Sequence, residues 1–121
     1  MNVPRAPSEL LPLTPAMFHV LLALAEEERH GYAIIKDVET RTGGSVRLSA
    51  GTLYGLIKRL LADDLIEESR RRPPAEEDDA RRRYYRLTPF GRKVLVAEVE
   101  RLERAVQLAR ATKGLKSVKV T

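Results

Sequence analysis

The sequence predicts a mainly α fold with a small β-hairpin: a winged helix-turn-helix with a long C-terminal dimerisation helix. Three observations lead there. Helix-start signals at Thr14-Pro15, Ser49 and Thr88-Pro89 each precede a segment with apolar residues at helical spacing. Two strand-like runs, Leu65–Arg71 and Arg82–Leu87, flank a stretch with two prolines and four consecutive acids. The last helical segment carries Leu95, Val99, Leu102, Val106 and Ala109, spaced as in a coiled-coil seam.

The first 12 residues hold three prolines and two acid-base residues and read as a loose arm. At Thr14 a hydroxyl can accept an amide hydrogen that lacks a helical partner. Pro15 follows, where its missing N–H costs nothing. Phe18, Leu21, Leu22 and Ala25 then give a helix over about 15–27. Glu26, Glu27 and Glu28 end it as a solvated terminus. His30-Gly31 is a break, and Tyr32, Ile34, Ile35 and Val38 predict a second helix over about 31–42, stopped by Gly43-Gly44. Val46–Leu48 is a short extended piece. Ser49 caps a third helix over about 50–63. The hairpin follows, its tip excluded from a ladder by Pro73, Pro74 and the acids Glu76–Asp79. Thr88-Pro89 repeats the first helix start, and the last helix runs from about 90 to 112. The expected organisation is a flexible arm (1–12), a winged helix-turn-helix unit (13–88), a dimerisation helix (89–113) and a flexible tail (114–121).

Composition narrows the function classes. With 121 residues, 43% hydrophobic and 32% charged, the chain fits one folded domain. No apolar run nears the roughly 20 residues of a membrane span, and the prolines and glutamate of the N-terminus do not suit a signal peptide, so a cytoplasmic location is expected. There is no cysteine, and His19 and His30 are too few for a zinc cage, so no metal or cofactor is expected. The scattered serines and histidines and the absence of a paired carboxylate site or phosphate loop argue against an enzyme. The net charge is +5, but the surplus sits in the last segment: residues 89–121 carry 8 bases and 3 acids, whereas residues 1–48 carry 5 and 6. Nucleic-acid binding must therefore be argued from where individual cations lie.

The third helix supplies that argument. Leu53, Leu56, Ile57, Leu60 and Leu61 form one stripe that faces the core. Stepping about 100° per residue from Leu53, the residues Lys58, Gly51, Gly55 and Arg59 fall between roughly 140° and 240°, on the outward face, flanked by Thr52 and Tyr54. Glycine in a helix costs about 0.5–1 kcal/mol relative to alanine, so two on one outward face suggest close approach of a partner. The amides behind Ser49 favour phosphate, and such a helix fits the major groove. A bland reading makes these residues ordinary surface; the arginine-flanked hairpin that follows weighs against it. There Arg70, Arg71 and Arg72 lead into the tip and Arg81, Arg82 and Arg83 lead out, so like charges meet unless DNA phosphate or the acidic tip answers them. Of Tyr84 and Tyr85, one should pack inward and the other outward.

The segments LTPAMFHVLLALAEEERHGYAIIKDVE, LSAGTLYGLIKRLLADDLIEE and RRYYRLTPFGRKVL together resemble the PadR-like family of bacterial transcriptional regulators, over about residues 12–97. The resemblance implies a winged-helix homodimer that binds a pseudo-palindromic operator, usually as a repressor, released in many members by a small effector. The chain's length matches the subgroup with a single C-terminal helix. On this basis Ser49, Thr52, Tyr54, Lys58 and Arg59 are expected to contact DNA. Tyr32 and Lys36 are expected to touch the flanking backbone, and Arg70, Arg71, Arg72, Arg82 and Arg83 to act from the wing. Leu95, Val99, Leu102, Val106 and Ala109 form the dimer seam. A place for an effector is expected between the first helix and the partner's last helix, where Phe18, Val20 or Leu24 could line a cavity. The chain departs from the family at Asp64, where many members have glycine, and at its acidic, double-proline tip. A winged-helix module that binds protein without touching DNA is the alternative.

Overall fold

The computed structural model describes residues 5–70 and 83–115. A 3-10 turn at Pro7–Leu10 precedes α1 (Pro15–Glu26), β1 (Arg29–His30), α2 (Gly31–Arg41), α3 (Ala50–Ala62), β2 (Ile66–Glu68), β3 (Tyr84–Leu87) and α4 (Pro89–Ala111). The strands form an antiparallel sheet in the order β1-β3-β2. The expected caps are in place: Thr14 accepts from the Met17 amide, Ser49 from Thr52 and Thr88 from Gly91. A fourth was not expected. His30 caps α2, its Nδ1 accepting the Ala33 amide hydrogen at 3.2 Å.

One core fills the space between the three short helices, the sheet and the start of α4. Val20, Leu21 and Leu24 of α1 meet Ile34 and Val38 of α2, Leu53, Ile57 and Leu60 of α3, and Val94 and Leu95 of α4. Tyr85 joins this core while Tyr84 is only half-buried, as the strand alternation requires. On α3 the inward stripe is narrower than expected. Leu56 is half-buried, and Leu61 is 37% exposed, because α3 leans on the core along the Leu53–Ile57–Leu60 line and Leu61 overhangs its edge.

Several expectations are corrected. Val46–Leu48 joins no ladder; the third strand is Arg29–His30, running into the expected break at His30-Gly31, and pairs Arg29 with Tyr85 and His30 with Tyr84. The hairpin strands are shorter than expected, in the register Ile66 to Leu87, Glu67 to Arg86 and Glu68 to Tyr85. The run Glu26–Glu28 is not simply solvated. Arg29 pairs with Glu26, Glu27 and Asp37, and Arg41 bonds Glu26 and Asp37. Glu28 accepts a 2.6 Å bond from the buried Ser69 hydroxyl. Residues 5–12, expected as a loose arm, lie against α4 and α3: Arg5 donates to the Asp63 carbonyl at 2.8 Å and sits over the Phe90 ring, while Leu10 and Leu11 pack on the core. Residues 1–4 and 116–121, the outer parts of the expected arm and tail, are outside the described residues.

The junction between wing and α4 is close-fitting. The Thr88 amide donates to the Leu65 carbonyl at 3.1 Å, and its hydroxyl bonds the Asp64 carbonyl at 2.5 Å while accepting from Gly91 at 2.8 Å. A β-carbon at Gly91 would stand 1.9 Å from the Leu65 carbonyl oxygen, so the helix can start here only on glycine. Asp64 has φ of 59°, the left-handed conformation that glycine adopts without strain and that aspartate tolerates better than most.

Candidate nucleic-acid interface

The outward face of α3 is open. Nothing lies within 4 Å of where β-carbons would stand at Gly51 and Gly55. Thr52, Lys58 and Arg59 are exposed beside them. Among the described residues neither Lys58 nor Arg59 forms an ion pair, so both cations remain available to an outside anion. Ser49 accepts the Thr52 amide hydrogen at 3.1 Å and lies 3.0 Å from the Thr52 hydroxyl, which ties both polar groups to the helix start.

Tyr54 is 38% exposed, and its hydroxyl lies over the start of α2, 3.0 Å from the place a Gly31 β-carbon would take. The HGY and GTLY segments are thus parts of one contact: the missing side chain of Gly31 makes room for the Tyr54 ring. Tyr32 of α2 is exposed, and the Lys36 ammonium stands 5.7 Å from its ring centroid, within cation–π range. Tyr32 also stacks on His30, the cap of its own helix. The structure therefore brings Ser49, Thr52, Tyr54, Lys58, Arg59, Tyr32 and Lys36 onto two neighbouring helices that share a packed contact.

The wing is described only at its base. Arg70 is exposed there. Arg83 pairs with Glu68 at 3.6 Å, and Arg86 with Glu67 at 2.9 Å and Glu28 at 3.7 Å. At this level the arginines face glutamates rather than one another. Arg71, Arg72 and Arg82, with Arg81 and the acidic tip, lie outside the described residues.

The seam residues of α4 divide. Leu95 is buried in the protomer's own core, beside Val94. Val99, Leu102 and Val106 are exposed, as is Ala109. Val99, Leu102 and Val106, with Phe18, Glu103 and Gln107, line an open apolar groove of about 390 Å³. Of the residues suggested for an effector site, Phe18 lines this groove, whereas Val20 and Leu24 are buried in the core, on the side of α1 that packs toward α2 and α4. Below the groove, Glu98 is 1% exposed yet charged. It accepts from the Leu13 amide at 2.8 Å and from Arg101 at 2.5 and 3.2 Å. The Arg101 hydrogen bonds, joined by that amide, outweigh burial and hold the Glu98 carboxyl below its usual range. No sequence pattern announced Glu98, which reads as one of many surface glutamates on a helix.

Among the described residues no cluster of ligands could hold a metal ion, and no helix is long and apolar enough to cross a membrane.

Residues 20–97 match the model of the family described as "Transcriptional regulator PadR-like family". A transcriptional regulator from Clostridium thermocellum superposes with a TM-score of 0.65 at 27% identity, covering 85% of this chain and 92% of that one. The Bordetella bronchiseptica protein BpsR, whose DNA binding is regulated by 6-hydroxynicotinic acid, superposes with a TM-score of 0.62 at 28% identity, covering 90% and 74%. A Lysinibacillus sphaericus protein called "Uncharacterized protein X" is 32% identical over 76 residues, 63% of this chain and 67% of its own length.

Proposed function

The chain belongs to the PadR-like family of transcriptional regulators, and from that premise we propose that it is a repressor binding a pseudo-palindromic DNA operator as a homodimer. The observation that carries this reading is the open face of α3, where two glycines leave the backbone accessible and Lys58 and Arg59 stand without ion pairs among the described residues. α3 enters the major groove with Ser49, Thr52, Tyr54, Lys58 and Arg59, while Tyr32 and Lys36 touch the adjacent backbone. Arg70 to Arg72, Arg82 and Arg83 act from the wing on the backbone or minor groove. Two copies join through Val99, Leu102, Val106 and Ala109, which cover the groove beside Phe18. Their recognition helices then sit about one DNA turn, roughly 34 Å, apart. The cations Arg92, Lys93, Arg104 and Arg110 stud the outside of the dimer and steer it toward DNA.

The groove beside Phe18 is where a small effector would enter between protomers. The regulation of BpsR by 6-hydroxynicotinic acid supports control by an effector.

The test is a gel-shift titration of the selected operator. Lys58→Ala with Arg59→Ala abolishes binding while the protein stays a folded dimer; unchanged affinity removes α3 from the reading role. If each protomer neutralises about four phosphates, the slope of log affinity against log salt is near −7. The pairing of Arg83 and Arg86 with Glu68, Glu67 and Glu28 favours a second reading, a winged-helix module that docks on protein. No measurable nucleic-acid binding at low salt would select it.

A further inference from the structure

The connection between α2 and α3 holds a polar groove of about 360 Å³ that the sequence did not reveal. It is lined by Lys36, Glu39 and Thr40 of α2 and by Gly43, Gly44 and Arg47 of the turn. We infer that this groove is a phosphate site in which Lys36 and Arg47 together grip one phosphodiester of the DNA backbone, with Glu39 competing for the arginine.

The turn is a built scaffold. The Gly44 amide donates to the Glu39 carbonyl at 2.8 Å, Gly43 to Thr40 at 3.2 Å and Val46 to the Thr42 hydroxyl at 3.1 Å. Gly43 and Gly44 have φ of 60° and 83°, so the chain reverses here without placing a side chain over the groove. Arg47 Nε donates to the Gly44 carbonyl at 3.2 Å and lies 3.9 Å from Glu39. That bond fixes the near edge of the guanidinium. The side chain is still 75% exposed, so its outer amino groups face solvent in the fork geometry that suits phosphate. Two cations against one carboxylate leave the groove net positive, and Thr40 adds an exposed hydroxyl.

Position identifies the source of the phosphate. Arg47 stands two residues before the Ser49 cap, at the end of α3 that presents Gly51 and Thr52, and Lys36 lies on the α2 face already placed against the backbone. A duplex seated on α3 brings a phosphate to this point as a neighbour of the bases being read. A free anion would meet only an open site with one net charge. The Arg47–Glu39 pair is long and exposed, so exchanging it for phosphate costs little.

This inference rests on the DNA-binding reading, and the test separates the two. Full-length wild type, Lys36→Ala/Arg47→Ala and Glu39→Gln are titrated against a random-sequence duplex over a range of salt. The double variant is expected to lose roughly three- to tenfold in affinity and to flatten the salt slope by about 0.9 per protomer, one phosphate. Base preference in a binding selection stays unchanged. Glu39→Gln, which removes only the competitor, is expected to bind roughly two- to fivefold tighter. A slope change near 1.8 per protomer means two separate phosphates and overturns the shared site. So does an unaltered slope while Lys58→Ala/Arg59→Ala still abolishes binding. Inorganic phosphate that displaces DNA from wild type but not from the double variant, at constant ionic strength, reassigns the groove to a free anion and also overturns it. Failure of wild type to bind any duplex overturns the DNA reading itself and this inference with it.

Discussion

The two halves of α4 share one helix and one apolar rhythm and yet meet different surroundings. From Pro89 to Glu98 the helix buries Gly91, Val94, Leu95 and Glu98 against its own domain. From residue 102 onward every described residue is exposed, among them Leu102, Val106 and Leu108. The 4-3 spacing runs through both halves without a break, so periodicity marks which face is apolar and leaves open what covers it. In the first half the cover is the protomer's own core. In the second, exposed aliphatic side chains continue that face past the edge of a domain too small to reach them, which is what a second copy would bury.

The sharpest way to break this contrast is Gly91→Ala. Its β-carbon would meet the Leu65 carbonyl at 1.9 Å, and neither backbone can give way easily. A loss of at least about 3 kcal/mol is expected in chemical denaturation, with the wing and α4 separating.

Paired truncations sharpen it further. Leu95→Ala, in the core, is expected to lower the unfolding free energy by about 2–5 kcal/mol at any protein concentration. Leu102→Asp with Val106→Asp is expected to leave a folded monomer in sedimentation, with its unfolding no longer dependent on concentration. If the aspartate variant sedimented as wild type, the second half would have no role in association.

Glu98 marks the boundary between the halves, and its effect is smaller. Replacing it by glutamine keeps an acceptor for the Leu13 amide and removes the charge that Arg101 answers; about 1–3 kcal/mol should be lost near neutral pH. Its carboxyl titrates lower in the folded protein than in the unfolded chain. The stability it contributes is therefore fully present above the ordinary glutamate value of about 4.3 and is lost as pH falls through the depressed folded value. Wild type should lose its advantage over Glu98→Gln in that acid window; parallel pH profiles for the two would show that the carboxylate carries none of the difference.

The smallest effect is expected at Asp64→Gly, which relieves the left-handed backbone beneath the start of α4. A gain of up to about 0.5 kcal/mol in thermal unfolding is expected, since aspartate tolerates this conformation better than most residues and glycine adds freedom to the unfolded chain.

Much of the surface proposed to face DNA was legible because α3 declares both of its faces within 13 residues: Ser49 starts it, Leu53, Ile57 and Leu60 point in, and Gly51, Gly55, Lys58 and Arg59 point out. Arg47 was not legible. It reads as one more arginine beside a strand-like valine, and the role proposed for it depends on the turn of Gly43 and Gly44 folding it back beside Glu39. β1 was hidden for a similar reason. Arg29 and His30 carry no alternation of their own and become a strand only because β3 arrives beside them from more than 50 residues away.

By itself, then, the sequence determined the helix starts at Thr14, Ser49 and Thr88, the inward stripes and the two-stranded wing base, because capping bonds and side-chain periodicity act between residues a few positions apart. Only the tertiary structure decided that Leu95 is core while Leu102 is surface, that Leu61 overhangs the edge, that Gly91 must lack a side chain and that Glu98 is buried and charged. Those outcomes depend on which distant atoms share the same few ångströms, and no local pattern carries that information.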